Sequence, residues 1–540
     1  MNVADLLTTS TRERGAHAAI LEPHGRKEWR ATSFSELEQR CDAIGSGLLA
    51  RGVRPGDRVA LFVKPGRDLI AVTYALWKIG AVPILIDPGM GRANIVQCLS
   101  RTKPRVLIGV LLAHVLRALE RRSLSSIEIA LVVGTRWSGT ETLDSVALPS
   151  VGALKALTRT SSDTAAILFT SGSTGPPKGV VYAHGMFGAQ IEALRTLYRF
   201  EPGERDLACF PLFALFDAAL GATAVIPRID PLRPAECNPA DIADAIVAHG
   251  CTYGFGSPAI WKRVAPWAIE RGVTFPTMTR ALIAGAPVSP GLIASLRTRL
   301  PVIGDVHTPY GATECLPVSS ICGAEFESGV RERVEGGHGS CVGRAAPGIE
   351  IAIIPVDSQP VVRVTTVTSN VIGEICVRGA VVTREYADDA VATRRAKIVD
   401  GDTVWHRTGD AGYVDEAGFY WTVGRVAHAV TTKSGTHWPV MLENVCDLHP
   451  SIRRTALVSN GSQACLVVEP LHSKRRTVAE RKALLVQMRS LLAAKRVSGA
   501  PLPPSVPERL IECPRFPVDV RHNAKIRRED LAEFAKDQST

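Results

Sequence analysis

Through the first three quarters of the chain, short apolar runs alternate with longer segments in which apolar positions recur every three or four residues. The runs are RVALFV from Arg58, AVPILID from Ala81, RVLIGV from Arg105, EIALVV from Glu128 and AAILFT from Ala165, and their length and β-branched content predict buried strands. FSELEQRCDAIGSGLLARG from Phe34 and IVQCLSRTK from Ile95 carry the helical period. Parallel neighbours in a sheet need a crossover, most often a helix, so the alternation predicts an α/β fold built on packed, largely parallel sheets.

The texture changes after YWTVGR, which ends at Arg425. Two further strand-like stretches follow, TALVSNG from Thr455 and CLVVEP from Cys465, and then a helix in which Leu484, Leu485, Met488, Leu491 and Leu492 form one apolar stripe. A chain of 540 residues exceeds what one core usually organises. The predicted division is a large domain over residues 1–425 and a small, mobile α+β domain over residues 426–540, about 115 residues, an ordinary domain size. No fixed-period repeat interrupts this plan, and no carrier domain is expected after residue 540.

Composition narrows the class. Hydrophobic residues make up 46% and charged residues 21%, the balance of a folded globular protein. The net charge of +10 is scattered over small clusters such as Arg121-Arg122, Arg394-Arg395 and Lys474-Arg475-Arg476. No basic stripe interleaves with aromatics, so nucleic acid is not an expected partner. Twelve cysteines contain no C-x-x-C pair, which argues against a zinc site or a disulfide framework and for reduced thiols. The N-terminal MNVADLLTTSTRERG lacks a basic start followed by an apolar stretch, and the longest apolar runs are too short to span a bilayer. A cytoplasmic protein without a transmembrane segment is expected.

The chemistry concentrates first in AILFTSGSTGPPKGVV, where a strand-like run ends at Thr170 and enters a loop of Ser171, Gly172, Ser173, Thr174, Gly175, Pro176, Pro177, Lys178 and Gly179. Glycines let backbone N–H groups approach phosphate oxygens, the hydroxyls add donors and Lys178 adds positive charge. A polyphosphate is the natural guest. The loop is not a Walker A motif, because Lys178 is followed by Gly179 and not by Ser or Thr.

TSGSTGPPKG resembles the phosphate-binding signature of the adenylate-forming superfamily, which holds acyl-CoA synthetases, nonribosomal-peptide adenylation domains and luciferases. Further stretches resemble that superfamily's blocks in the expected order. AGAPVS from Ala284 is similar to the block whose backbone lines the adenine pocket, here Gly285, Ala286 and Pro287. TPYGATE from Thr308 is similar to the next block: the resemblance implies that Tyr310 stacks on adenine beside Gly311, Thr313 binds the α-phosphate and Glu314 holds Mg²⁺, for which a hard oxygen ligand is suited. WHRTGDAGYVDEAGFYWTVGR, residues 405–425, resembles the block whose acid binds the ribose hydroxyls, which maps that role to Asp410 with Arg425 nearby at the hinge. GEICVRG from Gly373 matches a block without assigned chemistry. FPVDVRHNAKIRREDL from Phe516 resembles the catalytic-lysine loop, so that Lys525 would bridge the substrate carboxylate and the α-phosphate. The resemblance runs from Phe34 to Leu531 and implies ATP and Mg²⁺ as cofactors.

Three departures from the usual acyl-CoA ligase pattern refine it. FPLFALFDAALG from Phe210 lacks the expected His and carries Ala214 and Asp217; GRVAHAVTTKSGTHWP from Gly424 lacks the acidic hinge pair; YGATECLPVSS and FPVDVRHNAKI extend beyond the generic blocks. These stretches, with VIPRIDPLRPA from Val225 and FGSPA from Phe255, resemble the β-lactone synthetases of bacterial olefin biosynthesis and related β-lactone-forming enzymes. That resemblance implies a 2-alkyl-3-hydroxy fatty acid whose own β-hydroxyl attacks the acyl-AMP, and it admits assembly with other enzymes of the same lipid pathway. Phe213, Ala214, Phe216, Asp217, Gly256 and Ser257 are the expected substrate-pocket residues. His184, Asp217 and His307 are the candidates for removing the hydroxyl proton, with His522 in the lysine loop as a further histidine. The alternative is a fatty acyl-CoA or acyl-carrier-protein ligase, which would share every adenylation residue.

Overall fold

The computed structural model describes residues 2–25, 28–135, 139–148, 152–170, 176–210, 212–461, 463–471, 476–494, 506–518 and 526–538. A seven-stranded sheet runs in the order Glu141–Thr142, Ile129–Val132, Val106–Gly109, Arg58–Phe62, Val82–Ile86, Thr164–Thr170 and Lys178–Ala183. All its neighbours are parallel except the last pair, a hairpin whose ladder ends at Thr170 and Lys178. The five apolar runs of the sequence are five of these strands, and their helical partners also form where the periodicity places them, Phe34–Ala50 and Arg92–Thr102. A capping box starts the first of these helices. The Glu36 N–H donates to Ser33 Oγ at 3.2 Å and the Ser33 N–H donates to Glu36 Oε2 at 2.7 Å.

A second sheet, of fourteen strands, has a parallel core of Thr223–Val225, Arg205–Ala208, Tyr253–Gly256, Arg280–Ile283 and Asp305–Ala312. From Cys315–Cys322 onward it turns antiparallel, through Ser340–Ala345, Tyr420–Arg425, Thr403–Val414, Gly373–Gly379 and Ile349–Ile354. The expectation of largely parallel sheets therefore holds for the core up to Ala312 and gives way beyond it, where neighbouring strands pair antiparallel and only short helices lie between them. The first of those turns matters most. Ala312 pairs with Cys315, which leaves Thr313 and Glu314 as the two residues at the tip of a hairpin.

The core between the two sheets contains the helix Arg67–Ile79, buried from Leu69 to its end. Past Arg425 a three-stranded sheet forms from Ile452–Asn460, Gln463–Pro470 and Arg509–Glu512. The helix Val478–Ala494 packs on it through Leu484, Met488 and Leu492, with Leu485 and Leu491 half-buried beside them. All twelve cysteines are free thiols, eleven of them buried. Among the described residues no helix is long and apolar enough to cross a membrane, and no group of three or more His, Cys, Asp and Glu side chains could hold a metal ion.

Candidate active site

The sheets and the C-terminal region enclose a cleft of about 4080 Å³. Strand ends from both large sheets open onto it, as ligand sites in α/β folds do at the carboxyl ends of parallel strands. Ala284, Gly285, Ala286 and Pro287 line it directly after the strand Arg280–Ile283, followed by Tyr310, Gly311, Thr313 and Glu314 at the end of the next strand. The antiparallel pair Thr403–Val414 and Tyr420–Arg425 contributes Asp410 and Arg425, which face one another in register.

These residues make two connected groups. In the first, the Tyr310 O–H donates to Asp410 Oδ2 at 2.6 Å and Arg425 Nη1 donates to Asp410 Oδ1 at 3.0 Å. Arg425 also donates to the Thr408 carbonyl at 2.7 Å. Both carboxylate oxygens are thereby fixed, and each retains a lone pair for an incoming hydroxyl. The backbone that presents Asp410 passes through Gly409 at φ +72°, a left-handed conformation that favours glycine. The Gly409 N–H donates to Glu374 Oε1 at 3.2 Å, and Glu374 Oε2 accepts from Arg407 at 2.6 Å. Glu374 is buried in the strand of GEICVRG, the block without assigned chemistry, and it braces the turn that presents Asp410.

In the second group, the hairpin tip is held from behind. Tyr182 donates its phenolic proton to the Thr313 carbonyl at 2.6 Å, and Tyr386 donates its own to Glu314 Oε1 at 2.8 Å. Thr383 donates twice to the Glu314 carbonyl, from N–H at 2.9 Å and from Oγ1 at 3.1 Å. Lys178 Nζ lies 5.1 Å from the centre of the Tyr386 ring, so the basic end of the phosphate loop and Glu314 share one neighbour. Tyr386 and Thr383 carry no sequence signal of their own. Lys397, equally silent in the sequence, is buried behind them, where burial pushes its ammonium down to about 8 while Cys315 and Glu314 act in the opposite sense.

An oriented carboxylate beside a lysine suits Mg²⁺, which keeps most of its water and takes one or two carboxylates together with substrate phosphates. Glu314 would hold the ion, and the ion would neutralise phosphate charge. Residues 171–175 of the phosphate loop, the Thr170 side chain, and His522 and Lys525 of the lysine loop lie outside the described residues.

The acyl-pocket expectations divide. Phe213, Phe216 and Ser257 line the cleft, and Phe213 stacks on Phe255 with ring centres 4.3 Å apart. Ala214, Asp217 and Gly256 do not line it. Residues 214 and 217 share the face of helix Ala214–Leu220 that turns inward, and the side of Gly256 where a Cβ would stand is occupied by Trp261 Nε1 at 2.8 Å from that point. Asp217 is fully buried, accepts the Tyr253 O–H at 2.8 Å and abuts the equally buried Asp206. It cannot serve as the base from there.

Two of the histidine candidates are corrected as well. His184 is buried against the N-terminal segment, where Nδ1 accepts the Val3 N–H at 3.2 Å, and burial pushes it down to about 4. His307 stands edge-on to Tyr198 at 5.4 Å, away from the cleft. His406 and His428 do line the cleft, the latter in the turn after Arg425, where its Nε2 lies 3.4 Å from Glu529.

The Asp206–Asp217 pair predicts a pH effect on stability. Burial pushes Asp217 from 3.8 up to about 7, and Asp206 rises well above its ordinary value through burial and its neighbour's charge. A carboxyl whose folded pKa is raised binds protons more tightly in the native state, so its stabilisation is complete below pH 3.8 and is lost as pH rises towards 7. Asp217→Asn is expected to flatten the decline of the denaturation midpoint across that window. An unchanged pH dependence of the urea midpoint would count against the raised Asp217 carboxyl.

Comparison with known proteins follows the same lines as the geometry. The sequence model of the family described as AMP-binding enzyme matches residues 7–387. The olefin beta-lactone synthetase of Xanthomonas campestris pv. campestris is 40% identical over 559 aligned residues, covering 99% of this chain and 98% of that protein. The chain belongs to the AMP-binding, adenylate-forming enzymes. A second olefin beta-lactone synthetase, from Stenotrophomonas maltophilia, is also 40% identical, over 99% of this enzyme and 98% of its own length. Among solved structures, the amide bond synthetase McbA from Marinactinospora thermotolerans superposes with a TM-score of 0.80 at 20% identity, covering 99% of both chains, a likeness of fold alone.

Proposed function

We propose that this enzyme activates a 2-alkyl-3-hydroxy fatty acid with ATP and closes it to a β-lactone. The observation that carries the proposal is the 40% identity, end to end, with olefin beta-lactone synthetases. The site supports it with an aromatic acyl chamber at Phe213 and Phe255 opening onto the same cleft as the adenylate residues.

In the first step a carboxylate oxygen of the acid attacks the α-phosphorus of ATP, the bond to the β-phosphate oxygen breaks, and pyrophosphate leaves. Asp410, with Tyr310 and Arg425 on its two oxygens, holds the ribose; Ala286 and its neighbours line the adenine side; Lys178 and Lys525 offset the charge that develops on the phosphates, and Glu314 would hold Mg²⁺, which would neutralise part of it. Thr313 contacts the α-phosphate.

In the second step the β-hydroxyl oxygen of the bound acyl-AMP attacks its own carbonyl carbon. The carbonyl–phosphate C–O bond breaks, AMP leaves with the bonding electrons, and the hydroxyl proton passes to a base in the cleft. The nucleophile is carried by the substrate, so the step needs no thiol and gains from proximity. The region past Arg425 acts as a lid that brings Lys525 over the acid.

Mass spectrometry of the products from ATP, Mg²⁺ and a racemic 2-alkyl-3-hydroxy fatty acid, with and without coenzyme A, tests the reading. The expected product is one water lighter than the acid and forms with AMP in the absence of the thiol. An acyl-CoA appearing only when the thiol is added would replace the proposal with an acyl-CoA ligase.

A further inference from the structure

Lys397 is a buried cation behind the hairpin tip that the proposed reaction does not use. It opens the strand Lys397–Asp400, is 6% exposed, and pairs in register with His406 on the neighbouring strand. Burying an ammonium costs several kcal/mol unless nearby charge and hydrogen bonds compensate. Among the described residues, no carboxylate lies within ion-pair distance of its Nζ, and its one hydrogen-bond partner there is Thr383 Oγ1 at 2.9 Å.

That single bond sets a direction. An ammonium donates and cannot accept, so Thr383 Oγ1 must accept from Lys397 and send its only proton elsewhere. The place it goes is the Glu314 carbonyl, 3.1 Å away, which also receives the Thr383 N–H at 2.9 Å. On its other side Nζ lies 5.8 Å from the centre of the Tyr386 ring, within cation–π reach. The hydroxyl of that ring donates to Glu314 Oε1 at 2.8 Å. Both groups that orient Glu314, one on its backbone and one on its carboxylate, therefore neighbour the same ammonium, and the Tyr386 ring is approached by Lys178 as well, at 5.1 Å.

We propose that Lys397 is a positioning residue that fixes the Glu314 hairpin tip, through Thr383 and Tyr386, in the orientation that receives the metal-bound polyphosphate. This rests on the assignment of Glu314 to the metal and phosphate side of the site. The ribose and adenine contacts, through Asp410, Tyr310 and residues 284–287, are independent of Lys397, so the lysine separates binding of the polyphosphate from binding of the nucleoside.

Calorimetry with the full-length protein tests this, using ATP with Mg²⁺, ATP with chelator, and AMP. Lys397→Met keeps the stem and removes the charge. It is expected to weaken Mg·ATP binding about tenfold or more and to lower the rate of pyrophosphate release by a similar factor. AMP affinity and the Michaelis constant for the acid should stay unchanged, and the melting temperature should stay unchanged or rise. Thr383→Val, which removes the relay hydroxyl, should shift the same quantities in the same direction and carries the test if Lys397→Met no longer binds AMP. Wild-type Mg·ATP affinity and rate in a variant that binds AMP normally would overturn the proposal. If wild-type protein itself gains no ATP affinity from Mg²⁺, the assignment of Glu314 fails instead.

Discussion

Glu314→Gln is expected to lower the rate of pyrophosphate release from ATP by about 10²- to 10³-fold, the size seen when one preorganised electrostatic contact to a transition state is removed. The substitution is close to isosteric, and the side-chain oxygen can still accept the Tyr386 hydroxyl that now sits 2.8 Å from Oε1. The backbone bonds from Thr383 to the residue 314 carbonyl do not involve the side chain at all. Fold and hairpin should survive, and what disappears is one negative charge on the side proposed for the phosphates. The loss should therefore fall on kcat and on the Mg²⁺ concentration needed for half-maximal rate, with AMP affinity intact. A pyrophosphate-coupled assay across a Mg²⁺ titration checks it; a loss of less than about tenfold would mean that the ion is held by other groups.

The contrast between what the sequence could tell and what it could not follows from how each contact is made. The five strands the sequence announced between Arg58 and Thr170 were legible because each is a contiguous apolar run, and the first three are followed by helices. TPYGATE and RTGDAGY were legible because each functional group lies within a few residues of the next, so spacing alone preserves the pattern. Glu374, Thr383, Tyr386 and Lys397 were not, since each reaches Glu314, Gly409 or their partners through contacts between segments 14 to 72 residues apart. No local period records such a pairing. Asp217 shows a different limit. The sequence placed it in a pocket-lining segment, but which face of its short helix meets the sheet depends on the strands Arg205–Ala208 and Tyr253–Gly256, and they bury it with Asp206. The antiparallel half of the second sheet was missed for the same reason: its strands are individually ordinary, and only the absence of long helices between them foretells the change.

Asp410→Ala is the second large effect, and its signature should be opposite to that of Glu314→Gln. The carboxylate supplies two charge-assisted hydrogen bonds to the ribose in the proposed complex, each of about 1.5–3 kcal/mol, so affinity for AMP and for ATP alike should fall by about 10²- to 10⁴-fold. Removing it also withdraws the acceptor of the Tyr310 phenol and a partner of Arg425, whose side chain is 36% exposed. A modest drop in melting temperature should accompany the loss. Tyr310→Phe provides the internal comparison, because it deletes only the donor at 2.6 Å while leaving the ring beside the adenine-side loop and the Arg425–Asp410 pair in place. It should cost far less nucleotide affinity than Asp410→Ala. The two sites then separate cleanly by calorimetry: a variant that loses AMP has lost the nucleoside grip, and one that keeps AMP but loses Mg·ATP has lost the hairpin tip. Equal loss of AMP in Tyr310→Phe and Asp410→Ala would show that the phenol, and not the carboxylate, carries the ribose-side binding.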